Sequence, residues 1–247
     1  MTSPPSKRVI ILGATSGIAE ATARLYAAEH ASLLLAARSP QRLDALAADL
    51  RVRGATATTR ALDLAAEPDV PAAFAAMVAT LGGVDHVLLA YGVMSEAKAA
   101  ERAPAEMLAI NFTSAAAWTL AAAAVLEAQG FGSLVVLGSV AGDRGRRGNT
   151  VYGAAKAGLA TLVQGIAHRF GSRGPRAVVV KPGPTDTPMT AGMKKGGPMW
   201  ATADQVARVV RRAADRGGPV VYAPARWRWI MLAIRCLPSG VFNRLDI

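Results

Sequence analysis

The segment VIILGATSGIA, residues 9–19, decides the fold of this 247-residue chain. Its first four residues are apolar without alternation, which is typical of a strand buried on both faces of a parallel sheet. The glycines at positions 13 and 17 predict a tight turn that leads directly into a helix. Backbone N–H groups at such a helix N-terminus are unpaired and attract phosphate. The segment therefore predicts a strand, a phosphate-binding turn and a helix in immediate succession.

The remaining chain repeats this alternation of apolar strands and helices. After the first strand, at residues 9–14, we predict strands at residues 32–37, 55–63, 84–92, 132–139, 176–183 and 219–224. Helices are predicted between them, including an alanine-rich helix over about residues 101–129 and another over about 150–170. Strands that alternate with helices form parallel sheets through right-handed crossovers. The pattern predicts a single α/β domain over residues 1–247, doubly wound, with a seven-stranded parallel sheet and helices on both faces.

The composition excludes several classes of protein. A single cysteine, Cys236, rules out an internal disulfide framework, and residues 1–7 lack the apolar stretch of a secretory signal. Runs of about 18 apolar residues are lacking, so no transmembrane helix is expected. We expect no metal site, because His30, His86 and His168 are scattered along the chain. These observations together predict a cytoplasmic protein.

The charge of the chain is strongly positive. A net charge of +11 indicates an anionic partner, although a composition rich in alanine and arginine throughout also explains it. Aromatic residues make up only 5% of the chain and do not alternate with basic residues, so no nucleic-acid partner is expected.

Ligands of doubly wound sheets bind beyond the carboxyl ends of the strands. That rule gathers one set of residues into a predicted cofactor-binding rim: Gly13, Thr15, Ser16, Gly17, Ile18, Arg38, Asp63, Leu64, Ala90, Tyr91, Gly92, Pro182, Gly183, Thr185 and Thr187. Arg38 ends the second strand, where a basic side chain suits a ribose 2′-phosphate, so the sequence favours NADP(H) over NAD(H). A solvent-exposed arginine is the alternative. Asp63 could hold the adenine amino group or cap the next helix.

A second group of residues predicts acid–base chemistry at the same rim. Tyr152 and Lys156 are four residues apart, which places both on one face of the helix predicted over residues 150–170. A phenol with a pKa near 10 is a poor catalyst at neutral pH unless a nearby cation stabilises the phenolate. Ser139, at the end of the fifth strand, can hydrogen-bond a substrate oxygen. The alternative is an ordinary tyrosine and lysine on a helix surface.

These residues resemble the short-chain dehydrogenase/reductase family over essentially the whole chain. The resemblance rests on GATSGIA, on Asn111 within AINFTS, on Ser139, on the Tyr152/Lys156 pair and on Pro182-Gly183. It implies a Rossmann-type fold and four catalytic residues. Tyr152 would be the acid/base, Lys156 would tune it and hold the nicotinamide ribose, Ser139 would orient the carbonyl, and Asn111 would hold a proton-relay water. Two positions depart from the family: Ala19 replaces a glycine, and Ala90-Tyr91-Gly92 replaces Asn-Ala-Gly.

A narrower resemblance concerns residues 129–159 and the tail beyond residue 221. Both are similar to the decaprenylphosphoryl-2-keto-erythro-pentose reductases, which reduce a keto sugar carried on a polyprenyl phosphate. We therefore expect residues 185–200 to form a substrate lid and residues 225–247 to form a hydrophobic, basic extension. The extension would contact the inner membrane face, or else pack against the domain or another subunit of a homo-oligomer.

Two other functions remain open on the sequence alone. One is the same chemistry on a small soluble ketone or alcohol. The other is a nucleotide-sensing protein without catalysis, which would not need Ser139, Tyr152 and Lys156 together.

Overall fold

Seven parallel strands form the central sheet of the computed structural model, which describes residues 6–94 and 97–245. In chain order, all the strands of the described residues, including two outside this sheet, are β1 (Arg8–Leu12), β2 (Ser32–Ala37), β3 (Thr56–Ala61), β4 (His86–Leu89), β5 (Ser133–Leu137), β6 (Arg176–Pro182), β7 (Thr185–Asp186), β8 (Ala201–Thr202) and β9 (Val220–Ala223). The sheet order is β3-β2-β1-β4-β5-β6-β9, while β7 and β8 pair separately. The predicted seven-stranded, doubly wound sheet is therefore confirmed.

Helices cover both faces of this sheet. They are α1 (Gly17–Ala27), α2 (Pro40–Val52), α3 (Val70–Leu81), α4 (Ala97–Arg102), α5 (Pro104–Leu108), α6 (Ala115–Gln129), α7 (Thr150–Phe170), α8 (Ala203–Arg216), α9 (Trp227–Cys236) and α10 (Ser239–Phe242). One apolar core lies between the sheet and α1, α2 and α8, and a second lies between the sheet and α3, α6 and α7. Helices begin where the sequence provides caps. Ser39 accepts a hydrogen bond from the Arg42 N–H at the start of α2, and a Thr202–Gln205 capping box starts α8.

The helix predicted over about residues 101–129 is found over Pro104–Gln129, but it begins later than predicted and contains a π-helical turn. Helix α4 ends at Arg102, and Pro104 starts α5 because a proline has no N–H to continue the preceding helix. A π-helical turn, Ala109–Ser114, then separates α5 from α6. Asn111 explains this widening, since its side chain donates to the Met107 carbonyl oxygen at 3.1 Å and competes for the helical acceptor.

The stretch Pro104–Gln129 is the one helical segment of the described residues that is long and apolar enough to cross a membrane. Its buried side chains pack instead into the second core, where Trp118, Ala122 and Leu126 are fully buried. One face of the segment therefore belongs to the core, while two thirds of its most apolar stretch is not buried.

The tail folds back against the domain after β9. Arg144 donates to the Leu237 carbonyl oxygen at 2.7 Å and lies 3.8 Å from the centre of the Phe242 ring. Trp227 and Met231, on one face of α9, are buried in a small apolar cluster with Val140. The opposite face of α9 is exposed.

Candidate active site

Two adjoining cavities lie at the carboxyl edge of the sheet. The first, of about 300 Å³, is lined by the predicted residues Gly13, Thr15, Ser16, Arg38, Asp63, Leu64, Tyr91 and Gly92, among others. The second, of about 260 Å³, is lined by the predicted residues Ser16, Ile18, Ala90, Tyr91, Gly92, Ser139, Tyr152, Lys156, Pro182, Gly183, Thr185 and Thr187, among others. We call the first the glycine-turn cavity and the second the catalytic cleft. Ser16, Tyr91 and Gly92 line both, so the two cavities adjoin along one rim.

The glycine turn is built so that only glycine fits its first position. Gly13 has a φ of 82°, and a Cβ there would lie 2.6 Å from the Cβ of Tyr91. Gly17 starts α1 and packs against Thr187, whose Cγ2 would lie 3.3 Å from a Cβ at position 17. Ser16 precedes α1 without capping it, and its buried Oγ has no partner among the described residues. The open N-terminus of α1 and this unpaired hydroxyl fit a bound pyrophosphate.

Two arginines line the glycine-turn cavity. Arg38 is exposed at the end of β2, with no side-chain hydrogen bond or ion pair to any described residue. Arg42, which sequence analysis missed, donates to the Thr15 carbonyl oxygen at 2.6 Å and pairs with Glu20 at 3.2 Å. Its signal in the sequence is its position one turn into the helix that follows β2. Asp63 accepts from the Ala65 N–H at 2.9 Å, so it closes a local turn and does not cap α3.

Ser139, Tyr152 and Lys156 come together in the catalytic cleft. Ser139 follows β5, where its Oγ accepts the Ala141 N–H at 3.0 Å, and it lines the same cleft as Tyr152. Lys156, one turn along α7, donates to the Leu137 carbonyl oxygen at 3.2 Å. Its Nζ lies 5.8 Å from the centre of the Tyr152 ring.

Burial sets the electrostatics of this trio. It raises the pKa of the Tyr152 phenol above its ordinary value, while the Ser139 hydroxyl opposes that rise. Burial lowers the pKa of Lys156, which is only 3% exposed, to about 8. At neutral pH the cleft therefore holds a protonated phenol beside a lysine that is mostly charged.

Asn111 stands behind the cleft and does not line it. Its side chain is fully buried and exchanges two hydrogen bonds with the Val93 backbone, at 3.1 Å and 2.9 Å. A Cβ at position 92 would lie only 2.5 Å from the Asn111 Oδ1 atom, so Gly92 leaves room for this side chain. Because its side-chain amide hydrogens are donated to backbone oxygens, Asn111 fixes the loop that follows β4. The relay role assigned to it stays a prediction.

Tyr91 anchors that same loop at the position where the chain departs from the family pattern. Its hydroxyl lies 2.6 Å from Ser114 Oγ, which donates to the Leu64 carbonyl oxygen at 2.7 Å. Trp118 donates to the same carbonyl at 2.8 Å. The loop after β4 is therefore held from the α6 side by a tyrosine, which also forms part of both cavities.

Three polar residues of the cleft were missed by sequence analysis: Arg146, Asn149 and Trp227. Arg146 and Asn149 lie between β5 and α7, and Trp227 follows β9. The strand-end rule indicates only the general region of these residues, because the fifth and seventh strands of the sheet also end at this edge. Trp227 belongs to the tail, so the extension contributes a wall of the cleft.

Residues 185–200 lie beside the cleft. Met189 and Met193 line it, and Thr190 joins Thr187 in a capping box that shapes the turn Pro188–Thr190. Lys195 pairs with Asp186 within the same segment.

The chain matches the family model for short chain dehydrogenases over residues 7–197. It is 37% identical to a protein of Streptomyces coelicolor described as an uncharacterized oxidoreductase, across 99% of this chain and 98% of the relative. It is 33% identical to cis-4-hydroxycyclohexanecarboxylate dehydrogenase of Sinomonas cyclohexanicum, across 74% and 75% of the two chains. Among solved structures, levodione reductase is similar, with a TM-score of 0.78, 26% identity and coverage of 90% and 98%. The chain therefore belongs to the short-chain dehydrogenase/reductase family and is an NAD(P)-dependent oxidoreductase.

Proposed function

We propose that this oxidoreductase interconverts a carbonyl and a secondary alcohol on a small molecule, with Tyr152 as the proton donor and acceptor. The observation that carries the proposal is the convergence of Ser139, Tyr152 and Lys156 in one cleft, with the Lys156 Nζ 5.8 Å from the centre of the tyrosine ring. A nucleotide sensor has no use for this arrangement. The bound nicotinamide supplies or accepts the hydride.

The chain's own residues supply the proton and its control. Because Ser139 Oγ accepts the Ala141 N–H, its hydroxyl hydrogen is free to point into the cleft and hold a substrate oxygen. The Tyr152 phenol then donates its proton to that oxygen. The Lys156 ammonium stabilises the phenolate that remains, since opposite charges a few ångströms apart attract strongly where water is excluded.

The dinucleotide would lie along both cavities. The N-terminus of α1 and Ser16 would hold the pyrophosphate, and Lys156 would hold the nicotinamide ribose. The residues proposed to contact the cofactor are Gly13, Thr15, Ser16, Gly17, Ile18, Arg38, Asp63, Leu64, Ala90, Tyr91, Gly92, Tyr152, Lys156, Pro182, Gly183, Thr185 and Thr187.

We propose that NADP(H) is preferred over NAD(H). Arg38 has an uncommitted guanidinium, and Arg42 adds a second cation to the glycine-turn cavity. Arg38→Asp should weaken NADPH binding at least tenfold and spare NADH, because a charged hydrogen bond to phosphate contributes about 1.5–3 kcal/mol. The test measures oxidation of both nucleotides against a panel of ketones, including keto-sugar phosphates. An unchanged ratio of the two nucleotides in the variant would leave Arg38 as a solvent-exposed side chain.

A polyprenyl-phosphate-linked keto sugar is a second candidate substrate. The exposed face of α9 favours it, since Trp229 is 66% and Leu232 is 49% exposed, with Arg228 and Arg235 beside them. Tryptophan, leucine and arginine on one helix face suit a membrane interface, and the buried face of the same helix lines the cleft.

Replacing Trp229 and Leu232 by serine tests the membrane part of this proposal. Flotation with anionic liposomes should then be lost, while turnover of a water-soluble ketone is kept. Absence of flotation by the unaltered protein would remove the membrane contact and leave the reductase assignment intact. We further propose a homo-oligomer located in the cytoplasm, as the family commonly forms oligomers, and light scattering would measure its mass.

A further inference from the structure

Unpaired polar atoms concentrate in the part of the catalytic cleft that faces away from the glycine turn. Arg146 Nε, Asn149 Oδ1 and Trp227 Nε1 are each buried without a hydrogen-bond partner in the described chain. All three residues line the catalytic cleft, and none lines the glycine-turn cavity. A buried polar atom without a hydrogen-bond partner costs free energy. Three such atoms in the cleft of an enzyme therefore point to a bound ligand that pairs with them.

Trp227 is the most deeply buried of the three, at 6% exposure. Its indole rests on Gly183, where a Cβ would lie 1.9 Å from Nε1. The glycine therefore makes room for an indole N–H against the end of β6, beside the trio of Ser139, Tyr152 and Lys156. An indole nitrogen can only donate, so its missing partner is an acceptor.

Arg146 brings an uncompensated positive charge to this wall. Its side chain forms no hydrogen bond or ion pair with the described residues, and those that line the cleft include no aspartate or glutamate. Asp143 is the nearest acidic influence, but its carboxylate is already engaged by Lys181 and by the Tyr222 hydroxyl, the latter at 2.6 Å. The guanidinium thus remains charged and available to an anion.

The loop that carries Arg146 is fixed from both sides. Behind it, Asp143 is held by Lys181 and Tyr222, and beside it Arg144 is bonded to tail carbonyl oxygens at Leu237 and Ile234. The tail segment that provides Trp227 is therefore tied to the loop that provides Arg146. This is a built wall with two donors, and not a pair of surface side chains.

We propose that Arg146 and Trp227 bind an oxyanion of the substrate, a carboxylate or a phosphate, on the side of the cleft away from the glycine turn. The inference rests on the proposed function and names its substrate class: a carbonyl compound or alcohol with an acidic group. The apolar lining, from Val140, Met189 and Met193, would contact the carbon skeleton between that group and the reacting carbonyl. Asn149 Oδ1, an acceptor, would take a substrate hydroxyl and has no part in holding the anion.

The test compares matched charged and neutral ketones. The first pair is 4-oxocyclohexanecarboxylate and its methyl ester, and the second is ribulose 5-phosphate and ribulose. The unaltered protein should prefer the charged member of at least one pair at least tenfold in kcat/KM. Arg146→Met should raise KM for that member at least tenfold and leave its neutral partner within twofold. The pair that shows the effect identifies the oxyanion as carboxylate or phosphate.

Three further variants keep the result interpretable. Arg146→Lys should recover part of the preference, since it keeps the charge and loses the planar fork. Trp227→Phe should raise KM for the charged ketone severalfold because it removes one donor and retains a ring. Arg173→Met is the matched control, because it deletes an exposed positive charge beyond the far end of α7. Dichroism and NADPH binding should be unchanged in all four.

Calorimetry separates this inference from the proposed function. With NADP⁺ present, cis-4-hydroxycyclohexanecarboxylate or ribulose 5-phosphate should bind the unaltered protein and lose at least tenfold in affinity in Arg146→Met. That loss without turnover of any ketone would uphold the oxyanion site and reject the proposed reaction. Turnover with Arg146→Met affecting charged and neutral ketones alike would reject the oxyanion site and keep the reaction. Neither binding nor turnover would reject both.

Discussion

The two edges of the central sheet differ in how their charged side chains are paired. At the carboxyl edge, buried polar atoms of Ser16, Arg146 and Trp227 have no partner among the described residues, and Lys156 is buried with one backbone acceptor. At the amino edge, a cluster of charged and polar groups is paired within itself. We call it the amino-edge cluster: Lys7, Tyr26, Glu29, His86, Arg211 and Asp215.

Pairing in the amino-edge cluster is close. Arg211 contacts Glu29 at 2.7 Å and Asp215 at 2.7 Å, and its guanidinium lies 4.7 Å from the centre of the Tyr26 ring. His86, at the start of β4, lies 2.8 Å from the Tyr26 hydroxyl. Polar groups that pair with one another stabilise the fold, whereas groups left unpaired are available to ligands. The difference predicts that changes at the carboxyl edge affect activity and that changes at the amino edge affect stability.

Tyr152→Phe should give the largest effect at the carboxyl edge. We expect kcat for ketone reduction to fall by about 10²–10⁴, the range that a positioned proton donor supplies. NADPH binding, followed by fluorescence, and the melting temperature should change little, because the variant loses only a hydroxyl. A variant that retained most of its activity would contradict the assignment of Tyr152 as proton donor.

His86→Gln should give the next largest effect, at the amino edge and on stability alone. Burial lowers the pKa of His86 to about 4. The unfolded histidine, with a pKa of about 6.5, takes up a proton as pH falls below 6.5, whereas the folded one does so only near 4. The unaltered protein should therefore lose about 2–3 kcal/mol of unfolding free energy from this group between pH 7 and 4.5.

Urea unfolding of both proteins at pH 7 and 4.5 measures the effect. Glutamine can still accept the Tyr26 hydroxyl hydrogen but does not titrate, so the variant should lose less stability on acidification. Ketone reduction at pH 7 should stay within twofold of the unaltered protein. Equal losses in the two proteins would show that other groups, such as the ion-paired Asp215, account for the acid sensitivity.

The sequence predicts some elements of the fold more closely than others. Strand positions follow from continuous apolar runs, and the second strand, Ser32–Ala37, is predicted to the residue. Helix α7 is likewise predicted at its observed bounds, Thr150–Phe170. The long alanine-rich helix is also predicted, but alanine content says nothing of its start at Pro104 or of the Asn111 side chain that widens it. Local propensity is overruled there by one proline and one tertiary loop contact.

The sequence predicts some residues of the candidate site and misses others. Residues that follow a strand within a known motif, such as Gly13 and Ser139, are found because the motif fixes their position relative to the sheet. Trp227 is missed because its place in the cleft depends on how the tail returns over β6, which no local pattern encodes. Arg146 is missed because the run of arginines and glycines around it resembles any solvent-exposed loop. Only the packed structure shows that Arg146 lines the cleft, whereas the nearby Arg144 bonds to the tail.

The smallest expected effect is on the pH dependence of catalysis, where the alkaline limb of the kcat/KM profile should fall by about tenfold per pH unit. Burial lowers the pKa of Lys156 to about 8 and raises that of Tyr152, so the lysine loses its charge first as pH rises. Below pH 7 the ammonium is present, and kcat/KM for NADPH should be level. Above about 8 the loss of that charge removes both the stabilisation of the phenolate and a donor for the nicotinamide ribose, so kcat/KM should decline. Because kcat/KM for NADPH reports the free enzyme, a decline that began only near pH 10 would show that Lys156 stays charged despite its burial.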